Sequence, residues 1–149
     1  MGVILTELFG HLLGIGHDGQ LVAQGHDITN ICANVEFTVA AESPANTIVT
    51  SCQFTKADGS AMDSVVHCDV FVFADAAGLA VGAGGSTGLT AGTNGAIIDT
   101  ITAKQHFTFA SEDDGTLDLD MDDTGTTAWY LGVKLPGGRM VISPVVQMA

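Results

Sequence analysis

The chain has 149 residues, 46% of them hydrophobic, and a formal net charge of −13 from 17 acidic side chains against four basic ones. That length and apolar content suffice for one domain with its own core. The charge repels phosphate backbones and anionic lipid, which disfavours nucleic acid and membrane surfaces as partners.

The first residues, MGVILTELFGHLLGIG, place Ile4, Leu5, Leu8, Phe9, Leu12 and Leu13 at helical spacing, with Glu7 and His11 opposite. Gly14 and Gly16 would stop such a helix. The run is too short to span a bilayer and lacks the basic start of a signal peptide, so no export or membrane segment is expected. Residues 1–33 therefore read as a short amphipathic helix or extended arm. It either covers an open end of the core or docks on a neighbouring subunit or a larger assembly. The GHD triplets at Gly16–Asp18 and Gly25–Asp27 lack the close ligand pairs of zinc sites, and no metal is expected there.

From Val35 the period changes to two. In VEFTVAAE, Val35, Phe37 and Val39 share one face and Glu36 and Thr38 the other. TIVTSCQFT aligns Ile48, Thr50, Cys52 and Phe54. The Asp58-Gly59 pair then signals a hairpin turn leading to a return strand, SVVHCDVFVFA. In that strand Val66, Cys68, Val70 and Val72 alternate with Val65, His67, Asp69, Phe71 and Phe73, so both faces are partly apolar and a central position is expected.

Between Gly78 and Gly95 the glycine-rich tract predicts a long loop with one short strand. It has no GK[ST] ending and does not fit GxGxxG, so it is not a phosphate cradle. AIIDTIT, QHFTFA and TLDLDM follow as strands, and WYLGVKL-PGGR-MVISPVV closes the chain as a hairpin with Trp129, Leu131, Val133 and Leu135 on one side. Residues 34–149 are thus expected to form an all-β domain of seven or eight strands, an immunoglobulin-like antiparallel β-sandwich.

The acidic stretch DLDMDDTG, Asp118 to Gly125, imitates the start of an EF-hand loop. Counting Asp118 as position 1, position 6 is Asp123 instead of glycine and position 12 is Trp129, which cannot ligate calcium. Period two fits better, with Leu117, Leu119 and Met121 inward and Asp118, Asp120 and Asp122 outward. Cys32, Cys52 and Cys68 form no CxxC unit and read as buried free thiols. His67 and His106 read as partly buried or cross-strand residues. No nucleophile elbow or cofactor motif is present, so no catalytic residue and no cofactor is expected, and an enzyme is disfavoured.

The segments NVEFTVAAE, FTKADG, FVFADAAG and WYLGVKLPGGRMVISPVV resemble a group of small virion proteins of tailed bacteriophages, encoded near the capsid genes. The resemblance covers roughly Asn34 to the C-terminus, is most specific in the WYLGVKLPGGRMVIS hairpin, and does not extend to the N-terminal arm. It implies a non-enzymatic decoration or cement protein on the outside of the head, made in the bacterial cytoplasm. The implied partners are the major capsid protein and further copies of itself, as a dimer or trimer. Leu5, Phe9, Leu12 and Leu13 would be the anchor against capsid or sister subunits. The competing expectation is a tail or fibre module for host-surface or carbohydrate recognition, with the Gly78–Gly95 loop and the acidic edge as its binding face.

Overall fold

The computed structural model describes residues 13–15, 21–23, 26–27, 30–43 and 45–149. The chain forms two compact units, Met1–Ile31 and Cys32–Ala149. In the first, three short strands, β1 (Leu13–Ile15), β2 (Leu21–Ala23) and β3 (His26–Asp27), pair antiparallel in that order. Leu13, expected on a short helix or an extended arm, lies on a strand, its backbone paired opposite Ala23. The helical spacing of Leu5, Phe9 and Leu12 falls outside the described residues.

The second unit is a β-sandwich of nine strands, one or two more than the alternation suggests. A four-stranded sheet runs β4 (Asn34–Val39), β5 (Thr47–Thr55), β10 (Thr116–Asp122), β7 (Gly88–Ala91). A five-stranded sheet runs β12 (Met140–Ile142), β11 (Tyr130–Lys134), β6 (His67–Phe73), β9 (His106–Ala110), β8 (Ala96–Thr102). All pairings are antiparallel. Among the described residues there is no helix, and hence none long and apolar enough to cross a membrane.

The core is built by alternation. Leu117, Leu119 and Met121 of β10 and Thr50 and Phe54 of β5 are fully buried, facing Val70 and Val72 of β6, Phe109 of β9 and Leu131 and Val133 of β11. Each large side chain so buried contributes about 1.5–3 kcal/mol of transfer free energy. Trp129, just before β11, joins this cluster at 7% exposure and donates its indole Nε1–H to Asp123 Oδ2 at 2.9 Å. Since Asp123 follows β10 of the small sheet, that bond ties the two layers together.

One expectation needs correction. The Asp58-Gly59 turn is tight, with Lys56 N donating to Ser60 O at 2.8 Å, but the pairing it closes ends at Thr55 and Ala61. Instead of returning beside β5, the chain crosses to the opposite sheet, because Met62 and Val66 are drawn into the core on the way. The route also departs from a variable-type immunoglobulin domain, which shares the four-plus-five division. Here β7 enters the small sheet before β8 and β9 are laid down in the large one. Antiparallel β-sandwich is the description that holds.

β8 is an open edge, exposed along its whole length. Its register slips twice against β9, between Ile97 and Asp99 and between Thr100 and Thr102, leaving Ile98 and Ile101 as unpaired bulge residues. Bulges of this kind twist an edge away from pairing with another strand.

Candidate functional site

With the inward side chains of the sandwich assigned to the core, its two sheets offer their outer faces to chemistry. On the small sheet that face is acidic. β10 presents Asp118, Asp120 and Asp122 in a row, opposite Ser51, Val49 and Thr47 of β5, with Glu36 on β4 beyond them. None of the four strands carries a lysine or arginine.

Two of the three aspartates are engaged in structural hydrogen bonds. Asp118 accepts from Ser51 Oγ at 2.7 Å and from the Asn94 side chain and backbone N–H at 2.7 and 3.2 Å. Asp122 accepts from Thr47 Oγ1 at 2.6 Å and Thr87 Oγ1 at 3.3 Å. Asp120 sits between them with Oδ1 buried and without a partner among the described residues. Burial, then the charges of Asp118 and Asp122, push its carboxyl above the usual carboxylate range. The close packing requires Gly92: a Cβ there would stand 2.5 Å from Asp120 Oδ1. DLDMDDTG is thus a sheet strand followed by a turn, and its carboxylates diverge along the face instead of converging on one ion.

The outer face of the large sheet is different in kind. Pairing aligns Lys134, Asp69, Thr108 and Asp99 in one row across β11, β6, β9 and β8, and Gly132, Phe71, His106 and Thr102 in the next. Beyond these, Tyr130 lies opposite Phe73. The Phe71 and His106 rings stack with centroids 4.0 Å apart, and Phe71 and Phe73 follow at 6.1 Å. Asp69 Oδ1 accepts from Thr108 Oγ1 at 3.1 Å and lies 3.7 Å from His106 Nε2. Gly132 is required where the Phe73 ring crosses it: a Cβ would meet Phe73 Cε2 at 2.3 Å.

The apolar end of this face is extended by the loop after β6. Gly78 lies against the side chains of Ile142 and Phe73, and the adjoining Leu79 is 87% exposed. The loop is held by Asp75, whose carboxylate accepts the backbone N–H groups of Ala80 at 2.6 Å, Ala77 at 2.8 Å and Leu79 at 3.3 Å. Those donors, Ala80 first, hold the Asp75 carboxyl below its usual range.

Among the described residues, the others singled out in the sequence do not assemble into a reactive centre. Cys32, Cys52 and Cys68 are free and buried. Burial pushes all three thiols up, Cys68 to about 12, so the nucleophilic thiolate is suppressed at neutral pH. Among the described residues, no group of three His, Cys, Asp or Glu side chains is placed to hold a metal ion. His67 is exposed on β6, and His106 is the cross-strand residue stacked on Phe71. Of the proposed anchor, Leu13 is on β1 while Leu5, Phe9 and Leu12 lie outside the described residues. Two shallow clefts of about 250 Å³ each exist, one at the charged end of the large outer face beside His67, Asp69 and Lys134, the other on the small outer face beside Glu36, Gln53 and Asp118.

No protein-family model, no curated protein and no solved structure matches the chain. The feature that strand-by-strand reading missed is the large outer face. Its signal was present in HCDVFVF, where Phe71 and Phe73 fall out of phase with the core positions.

Proposed function

We propose that the chain is a non-enzymatic virion structural protein of a tailed bacteriophage, a decoration or cement protein that binds the outside of the head and stabilises it. The observation that carries this reading is the open outer face of the large sheet, where Phe71, Tyr130, Met140 and a nearly naked Leu79 stand on a domain of net charge −13. An apolar face on a strongly acidic protein is a surface for holding other proteins. The carboxylates, by contrast, mostly serve internal hydrogen bonds, which suits a structural part better than a catalyst.

The phage-like segments supply the kind of assembly. The acidic outer face of the small sheet suits the solvent side of a particle, where like charge keeps particles apart and gives no foothold to DNA. Leu5, Phe9, Leu12 and Leu13 form the capsid anchor in this reading, and the immunoglobulin-like description is kept for the sandwich as a size and layer analogy.

The test is binding of the purified chain to empty heads assembled from the major capsid protein of the same phage. Saturating, stoichiometric binding with a raised melting temperature of the heads is expected, and loss of binding on deleting residues 1–30. Absence of head binding overturns the proposal. Glycan-array binding without head binding would point to the tail or fibre module, which ring side chains on an open sheet face also suit.

A further inference from the structure

We infer that the outer face of the five-stranded sheet is the surface through which two copies of this chain pair, face to face, about a two-fold axis running parallel to the strands over β6. This deepens the self-association contained in the decoration reading, but it is measured on the isolated chain, so each can fail alone.

The face carries charges of both signs. Its polar row runs Lys134, Asp69, Thr108, Asp99 across four adjacent strands. Lys134 is exposed and makes no ion pair among the described residues. A two-fold axis along β6 keeps each row at its own height and exchanges left for right. It lays β11 of one copy over β9 of the other, so Lys134 meets Thr108 of the second copy with Asp69 and Asp99 of that copy on either side. The same operation occurs twice and sets Asp69 against Asp69 at the axis with a lysine on either side, giving two lysines for four carboxylates at an isologous contact. The apolar row then meets itself, Phe71 over Phe71, with Tyr130 and Leu79 closing the end.

The opposite outer face cannot serve. Its strands bear Glu36, Asp118, Asp120 and Asp122 without one cation, so two such faces repel. The open edge at β8 is also unsuitable, because its two bulges break the row of backbone donors and acceptors that edge pairing needs.

The area agrees with a weak dimer. Five strands about 4.8 Å apart and three side-chain rows about 7 Å apart outline roughly 500 Å² on each copy. The total, near 1,000 Å², lies below the standard size of stable interfaces and in the range of weak, transient association. Leu79, 87% exposed on the loop held by Asp75, adds apolar surface at the end of this contact.

Sedimentation velocity of the full chain across a concentration series tests this. The wild type is expected to pass from monomer to dimer with rising concentration. Leu79→Asp is expected to weaken the dimer at least tenfold with unchanged thermal unfolding of the monomer, since the side chain contacts little of its own fold. Lys134→Glu and Asp99→Lys are each expected to weaken it, and the two together to recover most of the loss. A wild type that stays monomeric overturns the inference. So does a dimer indifferent to both Leu79→Asp and Lys134→Glu, which would have formed through another surface.

Discussion

The bond between Trp129 Nε1 and Asp123 Oδ2 is the sharpest test of how the two layers are held. Asp123 is 8% exposed and also accepts from Ser86 Oγ and Gly125 N, each at 3.1 Å. Removing the carboxylate by Asp123→Ala leaves the buried indole N–H without a partner. A hydrogen bond to a charged acceptor is worth about 1.5–3 kcal/mol, and the two lesser bonds add to the loss, so about 3 kcal/mol is expected overall. For a domain of this size that corresponds to a melting temperature lower by roughly 10 °C. Trp129→Phe removes the same donor from the other side together with part of the ring packing. A double-mutant cycle by urea unfolding isolates the shared term, and a coupling of about 1.5–3 kcal/mol is expected.

The pH dependence provides a second reading of the same bond. The indole first, then the neighbouring backbone and hydroxyl donors, hold the Asp123 carboxyl below its usual range. A depressed folded pKa means that the unfolded chain binds the proton more readily. The stabilisation is therefore complete above the unfolded value of about 3.9 and is lost as pH falls through the lower folded value. Asp123→Ala should accordingly cost less at pH 2 than at pH 7. Coupling below about 0.5 kcal/mol, or a cost that does not change with pH, would refute the claim that this pair staples the sheets.

Three further substitutions probe the core and the faces. Thr50→Val is expected to stabilise the domain by about 1 kcal/mol in urea unfolding, because Thr50 is fully buried, its hydroxyl has no partner among the described residues, and valine keeps the shape. Gly132→Ala is expected to destabilise by at least about 2 kcal/mol, since its Cβ would collide with the Phe73 ring; an unchanged denaturation midpoint would show that the ring moves freely aside. Asp120→Asn is expected to stabilise at pH 7, with the gain shrinking as pH falls through the raised Asp120 pKa. There the folded state takes up the proton before the unfolded chain does, and the wild type itself becomes more stable, as thermal unfolding from pH 7 to 4 will show.

Period-two alternation was enough to determine most of the body. Leu117, Leu119 and Met121 inward against Asp118, Asp120 and Asp122 outward is a local property of TLDLDMD, and any sheet containing it must bury the same three side chains. The same holds for Val70 and Val72, for Leu131 and Val133, and for the central position of β6, whose outward phenylalanines already marked both of its faces as apolar. Which strand lies beside which was not a local property. The Asp58-Gly59 turn looks like a hairpin, yet Met62 and Val66 gain more by crossing into the core than β6 gains by pairing with β5. The bulges of β8 likewise arise from fitting Ile97 and Thr100 opposite Phe109 and Phe107. Only the assembled sheet set Lys134, Asp69 and Asp99 in one row and brought Phe71, Tyr130 and Leu79 to the same end. Those residues are distant in the chain, and their adjacency comes from strand register, which depends on the whole core closing at once.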